Sequence, residues 1–139
     1  MKLQSKSASE TKKAGVRLGE ELKPGDVVCL YGELGAGKTT MVKGIASAFG
    51  IQERDITSAS YTIIAEYNMS VPFYHIDLYR LTPGEVPDLG LQEYFGTGGV
   101  AVIEWAERAE DELPEQSIRV TLTYTEDNAR EIEIQGIDL

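Results

Sequence analysis

The sequence predicts a mixed α/β domain with a largely parallel central sheet and added antiparallel hairpins. Three observations carry this expectation. Two short apolar runs, "VVCLY" and "VAVI", have the length and character of strands covered on both faces. The segment after the first run repeats apolar residues four apart, as a helix packed on a sheet requires. Two further segments alternate around the polar connections "NMS" and "EDNA", the pattern of hairpins.

Taken in order, "SASETKKAGVRLGEELKPG" reads as a helix. Ser7 and Glu10 have capping-box spacing, and Ala14, Leu18 and Leu22 share one face. Lys23, Pro24 and Gly25 stop it. Residues 26–31, "DVVCLY", form a buried strand. A helix follows from Lys38 to Phe49, with Met41, Ile45 and Phe49 on one face and Gly50 as its stop. "SYTIIAEY" and "PFYHIDLYR" read as two strands of a hairpin. "LTPGEVPDLGLQEYFGTGG" holds short helical turns broken by Pro and Gly, and "VAVIEWA" is a second buried strand before a short helix that ends at "LPE". The tail "SIRVTLTYTEDNAREIEIQGI" reads as a second hairpin.

Residues 1–139 are expected to form one domain, burying roughly two-thirds of the surface of the unfolded chain. No apolar run reaches the roughly 20 residues of a membrane helix, and "MKLQSKSASETKK" lacks the apolar middle of a secretory signal. The single Cys29 has no disulfide partner, so a cytosolic protein is expected. Net charge is −10, from 23 acidic against 13 basic residues, so independent binding to nucleic acid lacks its usual basic footprint.

The stretch "YGELGAGKTT" concentrates the chemistry. It satisfies G-x-x-x-x-G-K-[ST] through Gly32, Gly37, Lys38 and Thr39, with Gly35 as an extra glycine inside the loop. A polyphosphate needs several N–H groups converging on its oxygens, and a loop with few side chains lets the backbone come close. The helix after it adds its positive N-terminal end. Lys38 would reach the β- and γ-phosphates, and Thr39 would give its hydroxyl to Mg²⁺. A buried strand before the loop and an amphipathic helix after it supply the context that the motif demands, which refines the fold class to a three-layer P-loop NTPase.

Such a site needs acids. Glu104 closes "VAVIE", and Asp77 lies on the same strand face as His75 in "FYHIDLYR". His75 taken alone reads as a structural strand histidine. Trp105 reads as core or as a cover for the site, and alternation, which puts it on the face opposite Glu104, favours packing or a partner contact. No N-K-x-D element for guanine is present, which favours an adenine nucleotide. The arginines Arg54, Arg80 and Arg108 have no motif that makes any of them a charge-stabilising finger, and Arg80 reads as a structural ion-pair residue.

"GELGAGKTTMVKGIA", "ITSASYTIIAEY", "YHIDLYRL", "LGLQEYF" and "VIEWAER" follow one another in the order and spacing of the bacterial TsaE (YjeE) family, which this chain resembles from about Ser5 to Ile137. The resemblance implies a small ATPase needed to make threonylcarbamoyladenosine at position 37 of tRNA, acting through a complex of the proteins TsaB and TsaD and touching tRNA only through them. It implies ATP and Mg²⁺ as cofactors, with Lys38, Asp77 and Glu104 catalytic. It places phosphate and nucleotide contacts at Gly35, Ala36, Gly37, Lys38, Thr39 and Thr40, and metal contacts at Thr39, Glu104 and Asp77, with either acid as the more direct ligand. Thr11, beside Ser9, lies where the family's first helix approaches the adenine. "SASY" departs from the family's S-P-T-F/Y; Ser60 keeps a hydroxyl for the γ-phosphate or metal, while Ala59 gives up the fixed φ of proline. The same residues leave two other readings open, a small-molecule kinase and a non-catalytic nucleotide switch.

Overall fold

The computed structural model describes residues 1–33, 35–56, 63–125 and 129–139. Its strands are β1 (Lys2–Ser5), β2 (Val27–Tyr31), β3 (Ile64–Tyr67), β4 (Phe73–Asp77), β5 (Val100–Glu104), β6 (Ile118–Tyr124) and β7 (Arg130–Gln135). The two α-helices are α1 (Ala8–Glu21) and α2 (Lys38–Ser47). One sheet holds all seven strands in the order β1-β7-β6-β2-β5-β4-β3. The four central strands, β6, β2, β5 and β4, run parallel. Both expected hairpins are present, β3–β4 on one flank and β6–β7 on the other.

β2 sits between β5 and β6, and its run of five residues is almost wholly buried. Its alternating side chains enter two different cores. Val28 and Leu30 join Val102, Val120 and Leu122 beneath the helices, where Leu18, Met41 and Ile45 close the packing. Val27 and Cys29 join Ala101 and Ile103 on the other face, under Val86, Leu91 and Ala106. That second face is covered by 3₁₀ segments, Pro83–Leu89, Leu91–Tyr94 and Ala106–Glu112. Burial among these side chains raises the Cys29 thiol to about 11, which leaves it an inert core residue.

One strand was not expected from the sequence. β1 is an extra edge strand, paired antiparallel with β7. The short helix expected after β5 is present as a 3₁₀ segment, Ala106–Glu112, with a break at Ala109 (φ −128°). Among the described residues, no helix is long and apolar enough to cross a membrane.

The helices touch backbone to backbone. A Cβ at Gly44 would run into the carbonyl of Lys12, and one at Gly15 into that of Met41. Alanine has the better helix propensity by about 1 kcal/mol, yet here it would force α1 and α2 apart. Gly44→Ala is therefore expected to destabilise the fold by about 1–3 kcal/mol, read as a lower midpoint in urea unfolding.

Candidate active site

Lys38, Thr39, Asp77 and Glu104 meet at the carboxyl ends of β2, β4 and β5, the place where open α/β sheets form their binding crevice. The glycine-rich loop leaves β2 and turns into α2 through left-handed backbone at Gly35 (φ +81°) and Gly37 (φ +104°). Gly37 is the N-cap of α2 and has no side chain to cap it. The amides of the first helical turn are thus left for an acceptor from outside, the arrangement that receives an anion. Thr39 and Thr40 follow Lys38 in that turn.

Lys38 folds back across the loop. Its Nζ donates to the carbonyls of Gly32 and, at 3.3 Å, Glu33. It also lies 3.6 Å from the centroid of the Trp105 ring. The residue is only 4% exposed. Burial lowers its pKa, opposed by the nearby carboxylates of Glu107, Glu104 and Asp77.

Glu104 ties the strand end to α2. Its Oε1 accepts from the Thr39 hydroxyl at 2.8 Å, and its Oε2 is 2.6 Å from His75 Nε2. The parallel register of β4 and β5 sets Asp77 directly beside Glu104. Asp77 Oδ1 accepts from the amide of Tyr79 at 3.0 Å. Ligand atoms of His75, Asp77 and Glu104 all lie within 4.8 Å of one another, and all three residues are buried. A hydroxyl and two carboxylates make a hard oxygen set that suits Mg²⁺. His75 is not a bystander of the strand: it engages the second oxygen of Glu104 and so orients the first toward Thr39.

Burial raises the Asp77 pKa, and the Glu104 charge raises it further. An acid whose folded pKa exceeds its unfolded value binds its proton more tightly in the fold. Its ionisation therefore removes stability as pH rises through the interval between the two values. Asp77→Asn keeps an acceptor for the Tyr79 amide and removes that charge. The ligand-free variant is expected to be more stable than wild type at neutral pH, with the gain fading as pH falls toward the ordinary Asp value. Melting curves across pH check this.

Trp105 packs where strand alternation places it and adds a contact to the loop lysine. Its φ of +59° places it in the left-handed region, so the chain has left the strand pleat. The ring packs against the core on the face opposite Glu104, and its π face also carries the Lys38 ammonium. It is stacked 5.2 Å from Tyr79, with Arg108 Cζ 4.9 Å from its centroid. Arg108 Nη1 donates to the carbonyls of Leu78 at 3.2 Å, Leu81 at 3.0 Å and Tyr79, which pins the turn after Asp77 to the segment after Glu104. Arg54 lies apart, in the exposed 3₁₀ turn Glu53–Asp55.

Thr11 borders the loop from α1. It is buried against Ser5, hydroxyl to hydroxyl at 2.7 Å, and its Cγ2 is 3.5 Å from where a Cβ on Gly37 would stand. Ser60, with the "SASY" segment, lies outside the described residues. Two residues that sequence reasoning missed also touch the loop. Tyr124 and Arg130, which close the β6–β7 hairpin as a register pair, donate to the carbonyls of Gly35 and Ala36. Their only local signal is their position on either side of "EDNA".

The family model described as "Threonylcarbamoyl adenosine biosynthesis protein TsaE" matches residues 5–132. A tRNA threonylcarbamoyladenosine biosynthesis protein TsaE from Bacillus subtilis is 42% identical over 138 residues, covering 99% of this chain and 86% of that one. A protein of the same name from Treponema pallidum is 44% identical over 135 residues, covering 96% and 99%. Among solved structures, YdiB of Bacillus subtilis superposes with a TM-score of 0.79 at 40% identity, over 95% of this chain and 82% of the other.

Proposed function

The chain belongs to the TsaE family, and from that premise we propose that it is a P-loop ATPase serving tRNA threonylcarbamoyladenosine synthesis. It acts in the cytoplasm through a TsaB–TsaD complex, as an accessory that binds and hydrolyses ATP. The observation that carries this reading is the bond from Thr39 to Glu104. It joins the residue after the loop lysine to the strand-end acid, so the phosphate loop and the metal-binding carboxylate form one unit.

In this reading the uncapped first turn of α2 and Lys38 receive the β- and γ-phosphates. Thr39, Glu104 and Asp77 would hold Mg²⁺, which supplies neutralisation of phosphate charge. Asp77, held by the Tyr79 amide, faces that position beside Glu104 and would accept the hydrogen bond of an attacking water. Thr11 and Ser60 would border the nucleotide. The net charge of −10 supports contact with tRNA only through the partners.

Threonylcarbamoylation of unmodified tRNA by TsaB–TsaD, with and without this protein, tests the proposal. Repeated rounds of modification are expected only when the protein and ATP are both present. Equal yields over many rounds without it would overturn the reading.

A further inference from the structure

We propose that Arg130 and Tyr124 are positioning residues that hold the glycine-rich loop in its phosphate-receiving shape, an inference that rests on reading that loop as the nucleotide site. Tyr124 ends β6 and Arg130 begins β7, and the two are directly paired. On its other side Arg130 pairs with Ser5 of β1, the residue that meets Thr11. The edge of the sheet thereby delivers both side chains to the loop.

The contacts are specific in kind. Arg130 Nε donates to the Ala36 carbonyl at 3.1 Å, and Nη2 donates to the Gly35 carbonyl at 3.3 Å. The Tyr124 hydroxyl donates to that same Gly35 carbonyl. The guanidinium rests over the Tyr124 ring, 4.5 Å from its centroid, so the pair is held as one plate. Across a trans peptide, the C=O and the next N–H point in opposite directions. Drawing the Ala36 carbonyl toward Arg130 therefore turns the Gly37 amide away from the guanidinium. The Ala36 amide is committed elsewhere, to the Glu33 carbonyl at 3.0 Å. Gly37 is thus the loop amide whose direction the clasp decides. A glycine with φ near +104° has no side chain to hold that direction for itself.

Calorimetric titration with the non-hydrolysable analogue AMPPNP and Mg²⁺ tests this on the full chain. Arg130→Ala is expected to weaken binding by about tenfold or more, the scale of losing charge-assisted bonds. Arg130→Lys recovers little of it, because an ammonium lacks the planar fork. Tyr124→Phe keeps the ring and loses one donor, so binding is expected to weaken by about threefold with an unchanged melting temperature, since the residue is exposed. Hydrogen exchange in the ligand-free Arg130→Ala protein is expected to be faster at Gly37 than in wild type, with the core strands unaffected. Affinities of Arg130→Ala and Tyr124→Phe within about twofold of wild type overturn the clasp and leave the nucleotide site standing. A wild type that binds no AMPPNP overturns the site and the clasp with it.

Discussion

Lys38→Ala is expected to lower ATP turnover by about 10²–10³-fold while the melting temperature stays at or above that of wild type. Both halves follow from how the lysine is held. Its ammonium is buried with carbonyl oxygens and an aromatic ring for company, and burial lowers its pKa. A cation whose folded pKa lies below its unfolded value is destabilising while it remains charged, at every pH below the folded pKa. The fold therefore loses little when the charge is removed. In the proposed reaction, the β- and γ-phosphates lose the loop's one lysine. A large loss of turnover without loss of stability separates a functional lysine from a packing one. Steady-state phosphate release and a thermal melt on the same preparation check both halves.

Glu104→Gln is expected to cut Mg²⁺-dependent turnover by about 10²-fold or more and to raise the Mg²⁺ concentration needed for half-activity. The amide oxygen still accepts from Thr39, so the strand end stays joined to α2. What disappears is the negative charge that a hard divalent ion requires. Glu104→Ala differs in stability. It strands the Thr39 hydroxyl and the buried His75 nitrogen without their partner, at a cost of about 1–3 kcal/mol for each unsatisfied group. The glutamine variant should therefore melt near wild type and the alanine variant well below it. Matched melting temperatures for the two variants would mean that the triad of Thr39, Glu104 and His75 is not held as described.

Much of this was readable in the chain because local chemistry dominated it. β2 has a continuous apolar run, and the structure gives it a sheet neighbour on each side and a core on each face. The cap of α1 was set by Ser7, whose hydroxyl accepts from the Glu10 amide at 3.1 Å. The Glu10 carboxylate returns to the Lys6 amide instead of that of Ser7, so the box is shifted by one residue. β1 was hidden because Leu3 is the one apolar residue among its four, and only its pairing with β7 makes it a strand. Alternation put Trp105 with the core opposite Glu104, where it packs, but the contact of its ring with Lys38 was hidden because the chain turns left-handed at that residue. Arg108 has no motif behind it, and Arg130 has only its place beside "EDNA". Each acts on carbonyls far along the chain, 30 residues back to Leu78 for one and 94 back to Ala36 for the other. Contacts of that range are products of the topology and not of spacing.

The most direct measurement is ATP turnover by the purified wild-type protein, alone and then titrated with TsaB–TsaD. Slow turnover that rises steeply and saturably with the partners, and that Lys38→Ala abolishes in both conditions, is the predicted result. Turnover that is indifferent to the partners would contradict the assignment to a partner-dependent ATPase.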